Sequence, residues 1–264
     1  MLDRLALSHS AAHRVKDALG RHPETADRGR RLERGEGGDM TMVLDRVAEN
    51  AVLAELEATG EPLTAISEER GVVEMAGGGP PFVVIDPVDG SLNAKRRLPF
   101  YGLSIAFASG ETMDEVEFGY VFDLYCEEEW WAERGAGAYV DGRRLGPLEP
   151  REPGEGFELV GIETARPALI GEHADRIAAL PSNRVRTLGS VALSMCFVAD
   201  ARLDGMVSLR AVRSVDAAAS QLIVREAGGV VVFPEAGDNP GLGLDMRSRV
   251  VAAGPAGVEG LLGI

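Results

Sequence analysis

Residues 81–91 read PFVVIDPVDGS, and this stretch decides how the chain is laid out. Phe82, Val83, Val84 and Ile85 form a short apolar, β-branched run bounded by prolines, which predicts a buried strand. The strand delivers Asp86 to its end. Pro87 and Gly90 then turn the chain, so Asp86 and Asp89 can be aimed at one point. Two carboxylates held together repel unless a proton or a cation lies between them. Magnesium suits such a place, because it prefers oxygen ligands and keeps several waters.

Working outward, residues 63–67 read as another short strand, ending in Glu68 and Glu69, either of which could join the acidic cluster. Apolar positions at helical spacing predict helices over 2–19 and 42–56. The arginine-rich, glycine-containing stretch 21–38 between them predicts a loop or flap. Further strands are expected over 101–108, 115–122 and 129–133, and a hairpin over 136–145 with Asp141-Gly142 at its turn.

A second region begins near Gly156. It holds strands over 159–162 and 185–188, a helical piece over 173–179, and a helix that starts at Gly189-Ser190 and runs to about Ala199. Asp216 precedes AAASQLIVREAGG, a helix stopped by Gly228-Gly229. Asp216 can cap that helix and serve as a ligand at once. Strands follow over 230–233 and 250–253. This order predicts layered sheets and helices, not a bundle or a barrel.

Composition narrows the function. The 264 residues are 45% hydrophobic and 26% charged, as in a folded soluble domain. A net charge of -15 repels nucleic-acid backbones and anionic membranes, so neither is an expected partner. It also repels phosphorylated substrates, which then need local cations. Cys126 and Cys196 lie in no CxxC or Cys/His cluster, which excludes a disulfide framework or zinc site as the organising principle. The start carries no basic leader followed by a long apolar core, and no apolar run is long enough to span a membrane; a cytoplasmic location is expected. His9, His13, His22 and His173 form no compact motif, and Trp130-Trp131 reads as packing.

The ordered motifs resemble the inositol monophosphatase family. VVIDPVDGSLNAKRRLPFYGLSIAFA resembles its metal-binding signature and SVDAAASQLIVREAGGVV its second signature. GEGGDMTMVLDRVAEN, the Ser67-Glu68-Glu69 step and GSVALSMCFVA extend the likeness from about Gly35 to Gly229. The resemblance implies an α+β, layered αβαβα sugar-phosphatase fold. Residues 1–150 would form an N-terminal α+β domain with most metal ligands. Residues 151–264 would form a C-terminal α/β domain supplying Asp216 and substrate contacts.

The resemblance also implies roles. Glu68, Asp86 and the Val88 carbonyl would hold one Mg2+, and Asp86, Asp89 and Asp216 a second. Glu68 would help bind a third through water, with Asp39 as a weaker contact. The amides of Gly90 and Ser91 would cradle phosphate. Ser91 stands where the family commonly has threonine and keeps the hydroxyl that orients the attacking water. Asp45 would support that hydroxyl, and Glu68, Ser91 and Asp45 would be the catalytic set. Gly189 and Ser190 would begin a substrate-facing helix.

Animal-type members usually carry a glutamate at the place of Leu209. Here Arg210 and Arg213 follow instead, as in the archaeal-type branch that hydrolyses both inositol monophosphate and fructose 1,6-bisphosphate. Either arginine could clamp a second phosphate, or could instead pair with nearby acids. The expected activity is therefore Mg2+-dependent hydrolysis of inositol 1-phosphate, fructose 1,6-bisphosphate, or both, by direct attack of water. A 3'-phosphoadenosine 5'-phosphate phosphatase and a catalytically silent relative remain as alternatives. A homodimer is expected from the same resemblance.

Overall fold

The computed structural model describes residues 2–36, 40–150, 156–164 and 166–264; Asp39 lies outside the described residues. The chain opens with α1 (Arg4–Gly20), the short α2 (Thr25–Arg28), a ribbon of β1 (Arg31–Arg34) and β2 (Met40–Met42), and α3 (Val43–Ala58). Part of the stretch expected to be a loop is thus ordered. The buried Arg28 guanidinium donates to the carbonyls of Ala94, His22 and Leu19, which ties α2 down.

The first sheet contains β3 (Leu63–Ser67), β4 (Gly71–Met75), β5 (Phe82–Asp89), β6 (Gly102–Ala108), β7 (Val116–Asp123), β8 (Glu129–Glu133), β9 (Gly137–Val140) and β10 (Arg143–Arg144). Their order is β10-β9-β8-β7-β6-β5-β3-β4. Helix α4 (Ser91–Arg96) interrupts the walk between β5 and β6. Strand β5 runs on past the expected Ile85 through Asp89, and its pairing with β6 shifts register between Asp86 and Asp89. That irregularity re-aims the two acids.

The second sheet, order β12-β11-β13-β15-β14, is built from β11 (Phe157–Glu163), β12 (Ser182–Arg186), β13 (Gly205–Ser208), β14 (Val230–Val232) and β15 (Val251–Ala253). Helices α5 (Pro167–Glu172), α6 (Ala174–Ala178), α7 (Val191–Ala199), α8 (Ser214–Glu226) and α9 (Glu259–Leu262) complete the chain.

Side-chain alternation along β5 explains the layering. Val83 and Ile85 pack with Ala12, Val15, Leu44 and Val52 of α1 and α3 on one face. Val84 packs on the other face with the core of α7 and α8, which also takes in Met206 and Ala252 of the second sheet. Beyond that sheet, Val160, Ile162 and Val207 meet Leu169, Ile177 and Leu261 of α5, α6 and α9. The layers are therefore helix, sheet, helix, sheet, helix. Helix α7 is apolar but for Ser194, which suits a place between two sheets.

Among the described residues no helix is long and apolar enough to cross a membrane. Both cysteines are free, Cys196 buried and Cys126 exposed. Trp130 is buried with its indole nitrogen donating to Asp200 at 3.0 Å, and Trp131 stacks on Tyr139 at 4.0 Å between centroids, so both serve packing within the chain.

Candidate active site

A cleft of about 270 Å³ opens where the C-terminal end of β5, the end of β3 and the start of α8 converge. Its walls include Asp45, Glu68, Asp86, Asp89, Arg210, Arg213 and Asp216. Carboxylate oxygens of Glu68, Asp86 and Asp216 lie within 4.8 Å of one another. Asp86 and Asp216 are 1% exposed and Asp89 4%, so these are buried charges with little water to stabilise them.

Each carboxylate has a distinct mooring. Asp86 Oδ1 accepts from the Val88 amide at 3.0 Å, which folds the Asp-Pro-Val turn back on its own side chain. Asp89 Oδ2 accepts from the Ser190 hydroxyl and the Ala192 amide, both at 2.6 Å. Asp216 Oδ2 accepts from the Arg213 amide at 2.9 Å; α8 begins at Ser214 with Arg213 as its N-cap, so Asp216 does not precede the helix as expected but is its third residue, bonding back to the cap. Glu68 Oε1 lies 2.5 Å from Arg213 Nη2.

Spacing alone leaves either Glu68 or Glu69 open, and the two side chains take different directions. Glu68 turns into the cluster, while Glu69 accepts from the Thr41 hydroxyl.

Burial drives the electrostatics. It pushes Glu68 up to about 8, with the negative charges of Asp216, Glu69 and Asp45 adding and Arg213 opposing. Asp89 rises to about 7 through burial and the charge of Asp216, against the bonds from Ser190 and Ala192. Asp86 is raised well above the usual carboxylate range by burial and then by Glu68, Asp89 and Asp216. Asp45 rises to about 7, again chiefly from burial, while the Met42 amide and the Ser91 hydroxyl lower it. A buried, oxygen-only donor set this negative fits a hard divalent cation.

Ser91 Oγ donates to the Val88 carbonyl at 2.9 Å. Gly90 precedes it with φ of 92°, and a Cβ there would sit 3.1 Å from the Phe100 carbonyl and 3.2 Å from that of Gly189. The glycine therefore lets the β5–α4 turn press against the opposite wall of the cleft. Gly189 lines that wall. Ser190 departs from the expectation of a substrate-facing position: it is fully buried, and its hydroxyl is used on Asp89 and on the Leu193 amide. The two arginines also part ways. Arg213 is 9% exposed at its side chain and paired with Glu68; Arg210 is 38% exposed and 3.9 Å from Asp216.

The chain matches the model of the inositol monophosphatase family over residues 4–262. It belongs to the inositol monophosphatase family. It is 36% identical over 257 residues to the fructose-1,6-bisphosphatase/inositol-1-monophosphatase of Methanothermobacter thermautotrophicus, across 92% of this chain and 89% of the relative. It is 33% identical to the protein of the same name from Archaeoglobus fulgidus, across 95% of this chain and 93% of the relative. The solved IMPase of Thermotoga maritima superposes with a TM-score of 0.76 at 27% identity, covering 96% of this chain and 92% of that one.

Around this cleft stand residues that sequence reasoning missed. Glu163, at the end of β11, is 2% exposed and accepts from the Gly189 amide at 2.8 Å, the Leu188 amide at 3.2 Å and the Ser194 hydroxyl at 2.6 Å. It fixes the turn that presents Ser190 to Asp89. Asn93 Nδ2 donates to the carbonyls of Phe100 and Leu188, joining the two cleft walls. Glu49 accepts from Ser67 Oγ at 2.6 Å and the Arg70 amide at 2.9 Å, bracing the strand end that carries Glu68. A glutamate that closes a predicted strand was a signal for Glu163; nothing local marks Glu49.

Proposed function

We propose that this protein is a Mg2+-dependent phosphomonoesterase acting on inositol 1-phosphate, fructose 1,6-bisphosphate, or both. The observation that carries the reading is the convergence of Glu68, Asp86 and Asp216, with Asp89 beside them, in a cleft one wall of which is the Gly90-Ser91 turn. Their proton affinity is raised by burial and by one another's charge, so the ionised cluster calls for a cation to balance it. Names of the relatives supply the two substrates.

In this reading Glu68, Asp86 and the Val88 carbonyl would hold one ion, Asp86, Asp89 and Asp216 a second, and Glu68 would help hold a third. When bound, magnesium lowers the pKa of an attacking water and stabilises the departing alkoxide. The chain does the positioning. The Gly90 and Ser91 amides hold phosphate oxygens. Ser91 Oγ orients the attacking water, and Asp45, with its pKa near 7, takes the proton that passes through that hydroxyl. Gly189 shapes the sugar side of the cleft. Arg210, the more exposed arginine, receives the second phosphate of a bisphosphate.

We further place the boundary between the N-terminal part, with most ligands, and the C-terminal part, with Asp216, near residue 150, and read the protein as a cytoplasmic homodimer acting on a small sugar or polyol phosphate.

The test is phosphate release from both substrates with and without Mg2+. Turnover of either substrate that depends on Mg2+ supports the reading. Turnover of inositol 1-phosphate alone keeps the metal chemistry and removes Arg210 as a phosphate clamp. No Mg2+-dependent release from either would sink it, leaving a nucleotide phosphatase or a silent relative.

A further inference from the structure

The most unusual charge in the cleft is positive. Arg213 is 8% exposed and lines the cleft. Its Nη2 lies 2.5 Å from Glu68 Oε1 and 3.8 Å from Asp216 Oδ1. The backbone of the same residue donates to Asp216 Oδ2 at 2.9 Å, which fixes where the side chain starts. Arg210 differs: it is four-tenths exposed and its nearest approach to Asp216 is 3.9 Å, so solvent screens it.

A buried guanidinium and a divalent cation are drawn to the same oxygens. We infer that Arg213 is a built-in competitor for the metal site: its guanidinium and a divalent ion exclude one another at Glu68, so that ion binding requires Arg213 to leave Glu68 Oε1. This inference rests on the metal reading of the cleft given above. Two consequences follow. Arg213 holds the carboxylates together as a cation of the protein's own, and so contributes stability that an ion replaces. It also weakens the ion's affinity, because a positive charge must be moved within a few ångströms of the incoming one. Coupling of this kind is reciprocal: whatever strengthens the Arg213–Glu68 pair weakens the ion, and the reverse. Once released, Arg213 lies at the cleft wall beside Arg210, where a phosphate can receive it. Ion binding would thereby prepare the substrate side of the site.

The experiment is calorimetric titration of Mg2+ alone into the full-length wild type, Arg213→Gln, Arg213→Lys and Asp89→Asn, with melting temperatures recorded with and without Mg2+. In Arg213→Gln the Mg2+ dissociation constant is expected to fall about tenfold or more. Its melting temperature without Mg2+ is expected to drop, and the gain on adding Mg2+ to exceed that of the wild type. Arg213→Lys keeps the charge and should stay within about threefold of the wild-type constant. Equal or weaker Mg2+ binding in Arg213→Gln, with clear binding by the wild type, overturns the inference and makes Arg213 an organiser of Glu68. No binding by the wild type removes the metal reading and the inference with it; loss in Asp89→Asn alone leaves the reading intact. Should Arg213→Gln fail to fold, a crystal structure of the wild type soaked in Mn2+ decides. The Arg213–Glu68 contact is expected to be broken there; its persistence with Mn2+ on Glu68 overturns the inference.

Discussion

Asp89 shows how finely a single carboxylate is set. One oxygen, Oδ2, is committed to Ser190 and to the Ala192 amide, leaving the other for the cleft. An asparagine there faces a conflict. Either its carbonyl keeps the two donors and its NH2 points at the ion, or the NH2 confronts two donors. Asp89→Asn should therefore fold, because it removes a buried charge, but should lose at least about a hundredfold in Mg2+-dependent phosphate release. A melt that matches or exceeds the wild type, beside lost turnover, is the expected pair of readings; retained turnover would remove Asp89 from the ligand set. The sequence displayed this residue clearly, because DPVDG is local. Local pattern alone left Glu68 and Glu69 open and the family resemblance chose Glu68; the partners of each side chain after β3 separate them in the structure. It showed Ser190 at a helix start but not that its hydroxyl points to a residue 101 positions away. Contacts of that span carry no periodicity and no local composition to read.

Elements convert those residue choices into position. Helix α8 brings Asp216 to the cleft and lies on β7, where Gly119 allows close approach. A Cβ at Gly119 would sit 2.5 Å from the Ala219 carbonyl and 3.0 Å from its Cα, both backbone atoms that cannot step aside alone. Gly119→Ala should lift α8 from the sheet, cost about 1–3 kcal/mol in denaturant unfolding, and weaken Mg2+ binding by moving Asp216. Unchanged affinity would show that α8 relaxes without moving its first turn. Glu163 gives a second test. Removing it in Glu163→Ala strands the Leu188 and Gly189 amides and the Ser194 hydroxyl, at a cost of about 2–4 kcal/mol. Because those amides fix the turn before Ser190, phosphate release should fall as well; lost stability with full turnover would confine Glu163 to folding. Elements with strong apolar runs, such as β3, β5 and β8, were legible from sequence. Strand β12 was read too late along the chain, because its polar edge residues Ser182, Asn183, Arg184 and Arg186 hide it and only Val185 marks it. Strands β4 and β13 are short, and the first is an edge strand with alternate residues exposed, so neither produces a clear pattern. Helix α4 spans six residues, too few for a helical repeat to declare itself.

At the scale of the whole molecule, the five layers came from the likeness of ordered motifs, since no single periodicity says that α7 and α8 lie between two sheets. Burial of the carboxylates at the ends of β3 and β5 is what makes the acidic cluster expensive, and this gives a prediction about the entire fold. Asp45 and Asp89 titrate near 7 and Glu68 near 8 in the folded chain, against reference values of 3.8, 3.8 and 4.5. Folded pKa values above the unfolded ones mean that between about pH 4 and 8 the native state binds more protons than the unfolded state. Stability then falls as pH rises through that window and levels off above it. In a chelator, the melting temperature should drop by more than about 5 °C between pH 5.5 and 8.5. Saturating Mg2+ should flatten the slope, because an ion stabilises the ionised carboxylates and is favoured by the same rise in pH. A melting temperature that rises with pH in chelator would mean that the carboxylates are already balanced within the protein. A slope untouched by Mg2+ would place the titrating groups away from the ion. Only the combination of a falling melt in chelator and a flat one in Mg2+ ties the stability of the fold to the charge held in the cleft.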